Sequence, residues 1–438
     1  MKDLGKIIPI VMVIVMVLSW YMLISDKVGV NNEYEKYLED ARSFAEKGIT
    51  KYAVENYGMA LAMNDDPDIY VEVSDYYKSQ NKHDDRLVWN ENFFELHPTD
   101  PKAFDALLDC YYIDEDYEAC FDLLIVAQKR GITTDYIKEL SKKLAYVYHL
   151  DNHRFDDVKS YGNNYCAVSQ DGLWGFVDRY GNDRVGCKYV QVGAFTQSNM
   201  ASVVNSENMP YFIDKTGAKV LVSDGKYKSF GLLIDNKIAA QRNDGKYTYV
   251  DTDCKVLFGE YDYASSINNG IGAVQTNGKW QIIDGEGKQV SKTSYLDIKL
   301  DEKQIACRMD RLFVSLKKGQ YIMVDSKGKQ IGNLVFEDAY VFMEDAPTAV
   351  KINGKWCFVG VDGKLVSDKK YDEARPYSNG FAAVCLNGLW GFVNEKETLV
   401  IKPEFQNAKD FTAKGSCFVK LNDEWQLLKL YRLNREDV

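Results

Sequence analysis

The chain has 438 residues, 46% hydrophobic and 27% charged, which are ordinary globular proportions that exclude collagen-like and largely disordered classes. Its formal net charge of -11, from 54 Lys and Arg against 65 Asp and Glu, opposes a general grip on a nucleic-acid backbone, so no DNA or RNA partner is expected. Residues 1–30 hold three basic and two acidic side chains, 31–150 hold 13 and 25, and 151–438 hold 38 and 38, so the acidity is confined to the second of three segments.

The first segment contains an uncharged run, residues 7–25, between Lys6 and Asp26. As a helix at ~1.5 Å per residue it is roughly 28 Å long, close to the ~30 Å hydrocarbon core of a bilayer. Ile7, Val11, Val15, Leu18 and Ile24 supply apolar surface, and Trp20 and Tyr21 suit an interface. Residues 1–28 are therefore expected to form a cytoplasmic tip and a signal-anchor transmembrane helix. Lys2 and Lys6 before the run favour a cytoplasmic N-terminus, which implies a single-pass membrane protein with the bulk of the chain extracytoplasmic, as on a bacterial cell surface.

Residues 29–148 show helical periodicity and a pattern that recurs at 33 and 34 residues. Ala41, Ser74 and Leu108 align, as do Ala53, Arg86 and Cys120, then Tyr57, Asn90 and Leu124, then Ala60, Phe93 and Ala127. Small and bulky residues at these offsets let antiparallel helices pack in pairs and stack. The segment resembles three tetratricopeptide repeats, although Arg86 and Asn90 stand where that family has a small and an aromatic residue. The resemblance implies a concave groove for an extended peptide. Asp68, Asp75, Asp105 and Asp109 are its candidate residues, mixed with Arg42, Lys78 and Lys102, and would suit a basic peptide. The alternative is a solvated acidic face on a spacer.

Residues 149–438 change period. A glycine turn followed by an aromatic strand recurs, with the aromatic position at Trp174, Pro210, Tyr247, Trp280, Tyr321, Trp356, Trp390 and Trp425. The spacings are 36, 37, 33, 41, 35, 34 and 35, so one unit is repeated eight times. Gly172, Gly245, Gly278, Gly354 and Gly388 follow Asp or Asn in these turns, the strongest short hairpin signal, because a type I′ turn requires positive φ at both central residues. Each unit reads as a meander of at least three strands. The Trp174-Gly175 and Trp390-Gly391 pairs resemble the WG-repeat family of bacterial β repeats, which implies a shape and little about chemistry. A closed β-propeller is favoured over an open β superhelix, because closure protects sheet edges. The last copy stops after its aromatic strand, and the stretch 145–150, AYVYHL, is placed to complete that blade from the start of the domain.

No catalytic constellation is found. Asp178, Asp214, Asp251, Asp284 and Asp325 share one repeat position and are expected to cap the turn that follows rather than bind calcium. His149 and His153 lack the Glu of a zinc helix, and no CxxC occurs among nine Cys, so no metal and no cofactor are expected. The expected function is a membrane-anchored, non-enzymatic scaffold that binds a protein or peptide through both repeat modules. The alternative is a cell-wall or carbohydrate-binding surface protein that uses its Tyr and Trp.

Overall fold

The computed structural model describes residues 32–222 and 225–431, which divide between Ala145 and Tyr146 into a helical unit and a β unit. The anticipated membrane span, with Ile7, Val11, Val15, Leu18, Trp20, Tyr21 and Ile24, lies outside the described residues. Among the described residues no helix is long and apolar enough to cross a membrane. Helices of 14 residues reach about 21 Å, short of the ~30 Å hydrocarbon core. The transmembrane element of the expected fold class, and the single-pass, extracytoplasmic location built on it, are therefore corrected. Among the described residues the fold is seven helices followed by an eight-bladed β-propeller.

The helices are α1 (32–46), α2 (Thr50–Met63), α3 (Pro67–Ser79), α4 (His83–Leu96), α5 (Pro101–Ile113), α6 (Tyr117–Arg130) and α7 (Asp135–Lys143). Their starts are written in the sequence. Asp66 and Asp100, each followed by Pro at the first helical position, accept from the backbone N–H of Asp68 at 3.0 Å and of Lys102 at 2.8 Å. That satisfies one orphan donor where the missing proline N–H costs nothing. Gly131 closes α6 in the left-handed region, where only a residue without Cβ is unstrained. The aligned small residues Ala41, Ala53, Ala60 and Ala127 are fully buried between helices.

At the aligned polar positions, Arg86 and Asn90, α4 still forms. Most of its polar groups find partners inside the stack, although Arg86 Nη1 and Asn90 Oδ1 are buried without one: Arg86 Nε donates to Ser74 Oγ at 3.1 Å and Nη2 to Asp109 at 2.6 Å. Asn90 Nδ2 donates to Ser74 Oγ and to the Ala106 carbonyl. A buried cation is tolerated only when paired in this way.

The β unit contains eight antiparallel sheets. Blade I is built from β2 (Asp157–Val158), β3 (Tyr165–Gln170), β4 (Leu173–Asp178) and β5 (Asp183–Tyr189). Blades II to VII span Gln191–Val222, Tyr227–Tyr261, Tyr263–Asp284, Asp297–Val324, Asp338–Val359 and Glu373–Phe405. Blade VIII has β27 (Asn407–Ala408), β28 (Ser416–Leu421) and β29 (Glu424–Leu430), and its outer strand is β1 (Tyr148–Leu150) from the start of the unit. Tyr148 pairs with Leu430 and Leu150 with Leu428, so the stretch 145–150 closes the ring. One hydrophobic cluster fills each gap between neighbouring blades. The cluster between blades VIII and I joins Phe418, Trp425 and Leu427 to Phe155, Val158 and Cys166.

The repeat signature acquires a physical meaning here. In seven blades the aromatic position faces a second aromatic across the outer strand: Trp174 with Tyr189, Tyr247 with Tyr261, Trp280 with Tyr295, Tyr321 with Phe336, Trp356 with Tyr371, Trp390 with Phe405, and Trp425 with Phe155. The glycine of the Trp-Gly pair is enforced by close approach: a Cβ on Gly175 would lie 2.4 Å from the Val185 carbonyl oxygen and one on Gly391 2.5 Å from that of Ile401. Both blades carry long outer strands that bulge over the glycine.

Four of the five Asp-Gly or Asn-Gly turns have positive φ at both residues, at Gly172, Gly278, Gly354 and Gly388. At Gly245 only the glycine does, because Arg242 and Lys246 close a wider turn around Asp244. The repeated Asp caps its turn as expected. Asp284 Oδ1, for example, accepts from the N–H of Glu286 and of Lys288, both at 2.9 Å.

Candidate functional site

The first strand of each blade is followed by one equivalent position, termed axial, held by Lys159, Gly193, Gly231, Ser265, Lys299, Tyr340, Arg375 and Lys409 in blades I to VIII. Four of these are cations, and each covers the signature aromatic of its own blade. Lys159 lies 4.8 Å from the Trp174 centroid, Lys299 4.4 Å from Tyr321, Arg375 5.2 Å from Trp390 and Lys409 5.8 Å from Trp425. Such contacts are worth ~0.5–2 kcal/mol and keep a cation content against an apolar wall. In blade VI, Tyr340 packs on Trp356 instead.

The channel is crossed by the connection between β17 (Asp297–Ile298) and β18 (Leu312–Lys317), residues 299–311, against 159–164 in blade I. This strap accounts for the long spacing of 41 between Trp280 and Tyr321. It is shaped by Asp301, whose Oδ1 accepts from the N–H of Lys303 and of Ile305 and whose Oδ2 accepts from Arg308. It is fastened to blade IV through the Ser266–Ile305 bridge.

From the strap, Glu302 reaches across the axis. Its Oε2 accepts from Ser160 N at 3.0 Å and Oγ at 2.9 Å, and its Oε1 from Lys409 Nζ at 2.6 Å. Side chains of blades I, V and VIII meet only on the axis of a closed ring. Burial alone would raise the Glu302 pKa, but the Lys409 charge and the hydrogen bonds from Lys409 and Ser160 outweigh it and lower it to about 2. Beside it, burial raises the Asp410 carboxyl against the opposing pull of Arg375, and one Asp410 oxygen is buried without a partner.

The strap divides the channel. On one side lies a cavity of 270 Å³ walled by blades I to IV. On the other are two depressions of 560 and 310 Å³ on the face formed by the loops that follow the first strands. Asn163 and Gln197 line both depressions, so the two adjoin as one trough beside the strap. Its rim is stiff, because neighbouring loops bond one another: Asn163 donates to the Thr196 carbonyl at 2.9 Å, Thr196 to that of Leu233 at 2.9 Å, Asn268 to that of Cys307 at 3.0 Å and Asn379 to that of Phe411 at 2.7 Å.

Trp280, Tyr321, Trp356, Trp390 and Trp425 are buried, and Trp174 and Tyr247 are partly buried, so most of the aromatic signature serves the core. Gly172, Gly245, Gly278, Gly354 and Gly388 sit in the hairpins at the face opposite the trough. In the helical unit, Asp68 pairs with Lys102, Asp109 with Lys78 at 2.7 Å and with Arg86, and Asp105 accepts from Thr134 Oγ1 at 2.6 Å. Asp75 stays exposed. With Arg42 to Glu72 at 2.8 Å, these pairs form a ladder between successive repeats. The nine cysteines are free thiols, and no cluster able to hold a metal occurs among the described residues.

Sequence reasoning missed the channel residues Lys159, Glu302, Lys303, Arg375, Lys409 and Asp410. The usable signals were the one long spacing and a cation about 15 residues before the signature aromatic in blades I, VII and VIII.

This geometry defines a repeat-built β-propeller with an axially plugged channel, preceded by helical repeats. Four stretches of the propeller, residues 152–174, 247–280, 358–390 and 390–425, match the family model described as WG containing repeat. No curated protein matches the chain in sequence. Among solved structures, BamB from Moraxella catarrhalis is 14% identical, with 65% of this chain and 100% of that chain covered at a TM-score of 0.44. The computationally designed Ika8 protein is 10% identical over 64% of this chain and 98% of its own, TM-score 0.43. The Sgt2 TPR domain from Aspergillus fumigatus is 17% identical over 25% of this chain and 78% of its own, TM-score 0.21. The propeller assignment rests on this chain's own sheets and register.

Proposed function

We propose that the chain is a non-catalytic interaction scaffold whose propeller takes up a segment of a protein partner in the trough beside the strap. The supporting observation is the trough itself: a depression of 560 Å³ continued by one of 310 Å³, rimmed by loops already fixed to one another. A surface ordered before binding loses little conformational entropy when a partner docks. Repeat architectures free such a loop face for recognition because the core is secured elsewhere. The carboxylates Asp68, Asp75, Asp105 and Asp109 would accept a basic peptide only by giving up their own intramolecular partners at three of the four positions, which makes the helical unit the secondary surface.

A photo-crosslinking residue at Gln197, on the trough rim, should yield discrete protein adducts in the native cell. The same probe at Asn277, in a hairpin on the opposite face, should yield none. Equal labelling from both positions, or labelling from Asn277 alone, would refute the assignment of the face.

A further inference from the structure

The cavity beneath the strap owes its existence to two glycines. In blades I, V, VII and VIII the axial position holds a long cation over the signature aromatic, and in blade VI a tyrosine covers it. In blades II and III the same position is Gly193 and Gly231. Both line the cavity, together with the Tyr247 ring that no axial side chain of its own blade covers. The glycine wall is tight, since a Cβ on Gly193 would lie 2.4 Å from Ser202 Oγ. The room is thus a shaped cavity of 270 Å³, which corresponds to about nine waters at ~30 Å³ each.

Its electrostatics are unbalanced. Lys159 and Lys303 both line it, and each spends one proton on a backbone carbonyl: Lys159 Nζ donates to Val192 O at 2.7 Å and Lys303 Nζ to Tyr161 O. Neither forms an ion pair among the described residues, and burial lowers the pKa of both. The single carboxylate in the wall, Glu302, is already engaged by Lys409 and Ser160. Two buried lysines in the wall thus feel nearby carboxylates, Glu302 and Asp157 at Lys159 and Asp301, Asp410 and Glu302 at Lys303, but touch none of them, which leaves direct contacts that a bound anion can make. The opposite wall has a different character. Tyr247 and Tyr263 pack in a tilted pair with centroids 4.9 Å apart, and Tyr263 is held by a hydrogen bond to Gln304 of the strap.

We propose that this axial cavity binds a small organic anion, with a carboxylate or phosphate group taken by Lys159 and Lys303 and an aromatic or apolar body against Tyr247 and Tyr263. The site adjoins the trough, with which it shares Ser160, Leu232 and Lys303. The strap serves both, because Lys303 lines the cavity and the larger depression.

Isothermal titration calorimetry on the full chain tests the assignment, with benzoate and phenyl phosphate as aryl anions, benzamide as the neutral analogue and inorganic phosphate as the bare anion. One-to-one binding of both aryl anions is expected, with benzamide and inorganic phosphate at least tenfold weaker and affinity reduced about tenfold in K159Q and in K303Q. The comparison of benzoate with benzamide needs no variant, so it stands even if a lysine substitution loosens the strap. Absence of saturable binding by both aryl anions, equal affinity for benzamide, or unchanged affinity in folded variants would overturn the proposal. Inorganic phosphate binding as tightly as phenyl phosphate would overturn the organic body.

Discussion

The helical unit and the propeller are both made of repeats about 34 to 36 residues long, and they solve the problem of ends in opposite ways. Each helical repeat touches only its neighbours, and successive repeats are tied by the polar ladder of Arg42–Glu72, Lys78–Asp109 and Lys102–Asp68. In the propeller, β1 from the start of the unit completes the final blade, and a hydrophobic cluster joins the last blade to the first. The comparison teaches that a similar repeat length gives local stability in a linear stack and shared stability in a ring.

The largest expected effect comes from opening that ring. Deleting residues 146–150 removes Tyr146, Tyr148 and Leu150 from the core they pack against and should cost the propeller about 4 kcal/mol or more. Urea unfolding followed by hydrogen exchange should show the loss in all eight blades, with the helical unit unchanged. A loss confined to the neighbourhood of Trp425 would mean that the blades are stable one by one.

A smaller loss, restricted to the helices, is expected for Asp109→Ala. It leaves Arg86, 3% exposed, with a buried charge and no carboxylate, at about 3 kcal/mol. Differential unfolding should place that loss in the helical unit alone.

Next comes the axial bridge. Glu302→Gln should destabilise the propeller by about 2 kcal/mol at neutral pH, since hydrogen bonds to a charged group are lost from a half-exposed site. The Glu302 pKa is lowered from 4.5 to about 2, so the stabilisation is present above pH ~4.5 and is lost as pH falls through ~2. The wild type and the variant should therefore converge in acid. A stability difference that stays constant from pH 7 to pH 2 would show that Glu302 acts by packing alone. The smallest effect is expected for Lys102→Ala, with no measurable change in the unfolding midpoint, because both partners of the Asp68 pair are exposed and such pairs are worth little.

The division of the chain and the eight-fold repeat were legible because turns and aromatics are local signals. Asn-Gly demands positive φ wherever it occurs, and the aromatic pair across the outer strand recurs with every blade. The closing strand was legible as well, as a β-branched and aromatic stretch where a blade lacked its outer strand. The axial channel was not legible, because it is assembled from one residue per blade, and a Lys at 159 and another at 409 become neighbours of one carboxylate only after the ring closes. Glu302 gave no more than an irregular spacing. The partners of the helical carboxylates were not legible for a related reason: Asp105 and Asp109 have the spacing of an acidic face, and their partners come from other helices of the stack.

Native-state hydrogen exchange on the intact chain tests the central contrast most directly. A closed ring predicts that the slowest amides of all eight blades, from Cys166 in blade I to Phe418 in blade VIII, report one common opening free energy, while those of α2 to α7 fall away towards the ends of the stack. Blade-by-blade opening energies that decline from the middle of the propeller towards blades I and VIII would contradict closure.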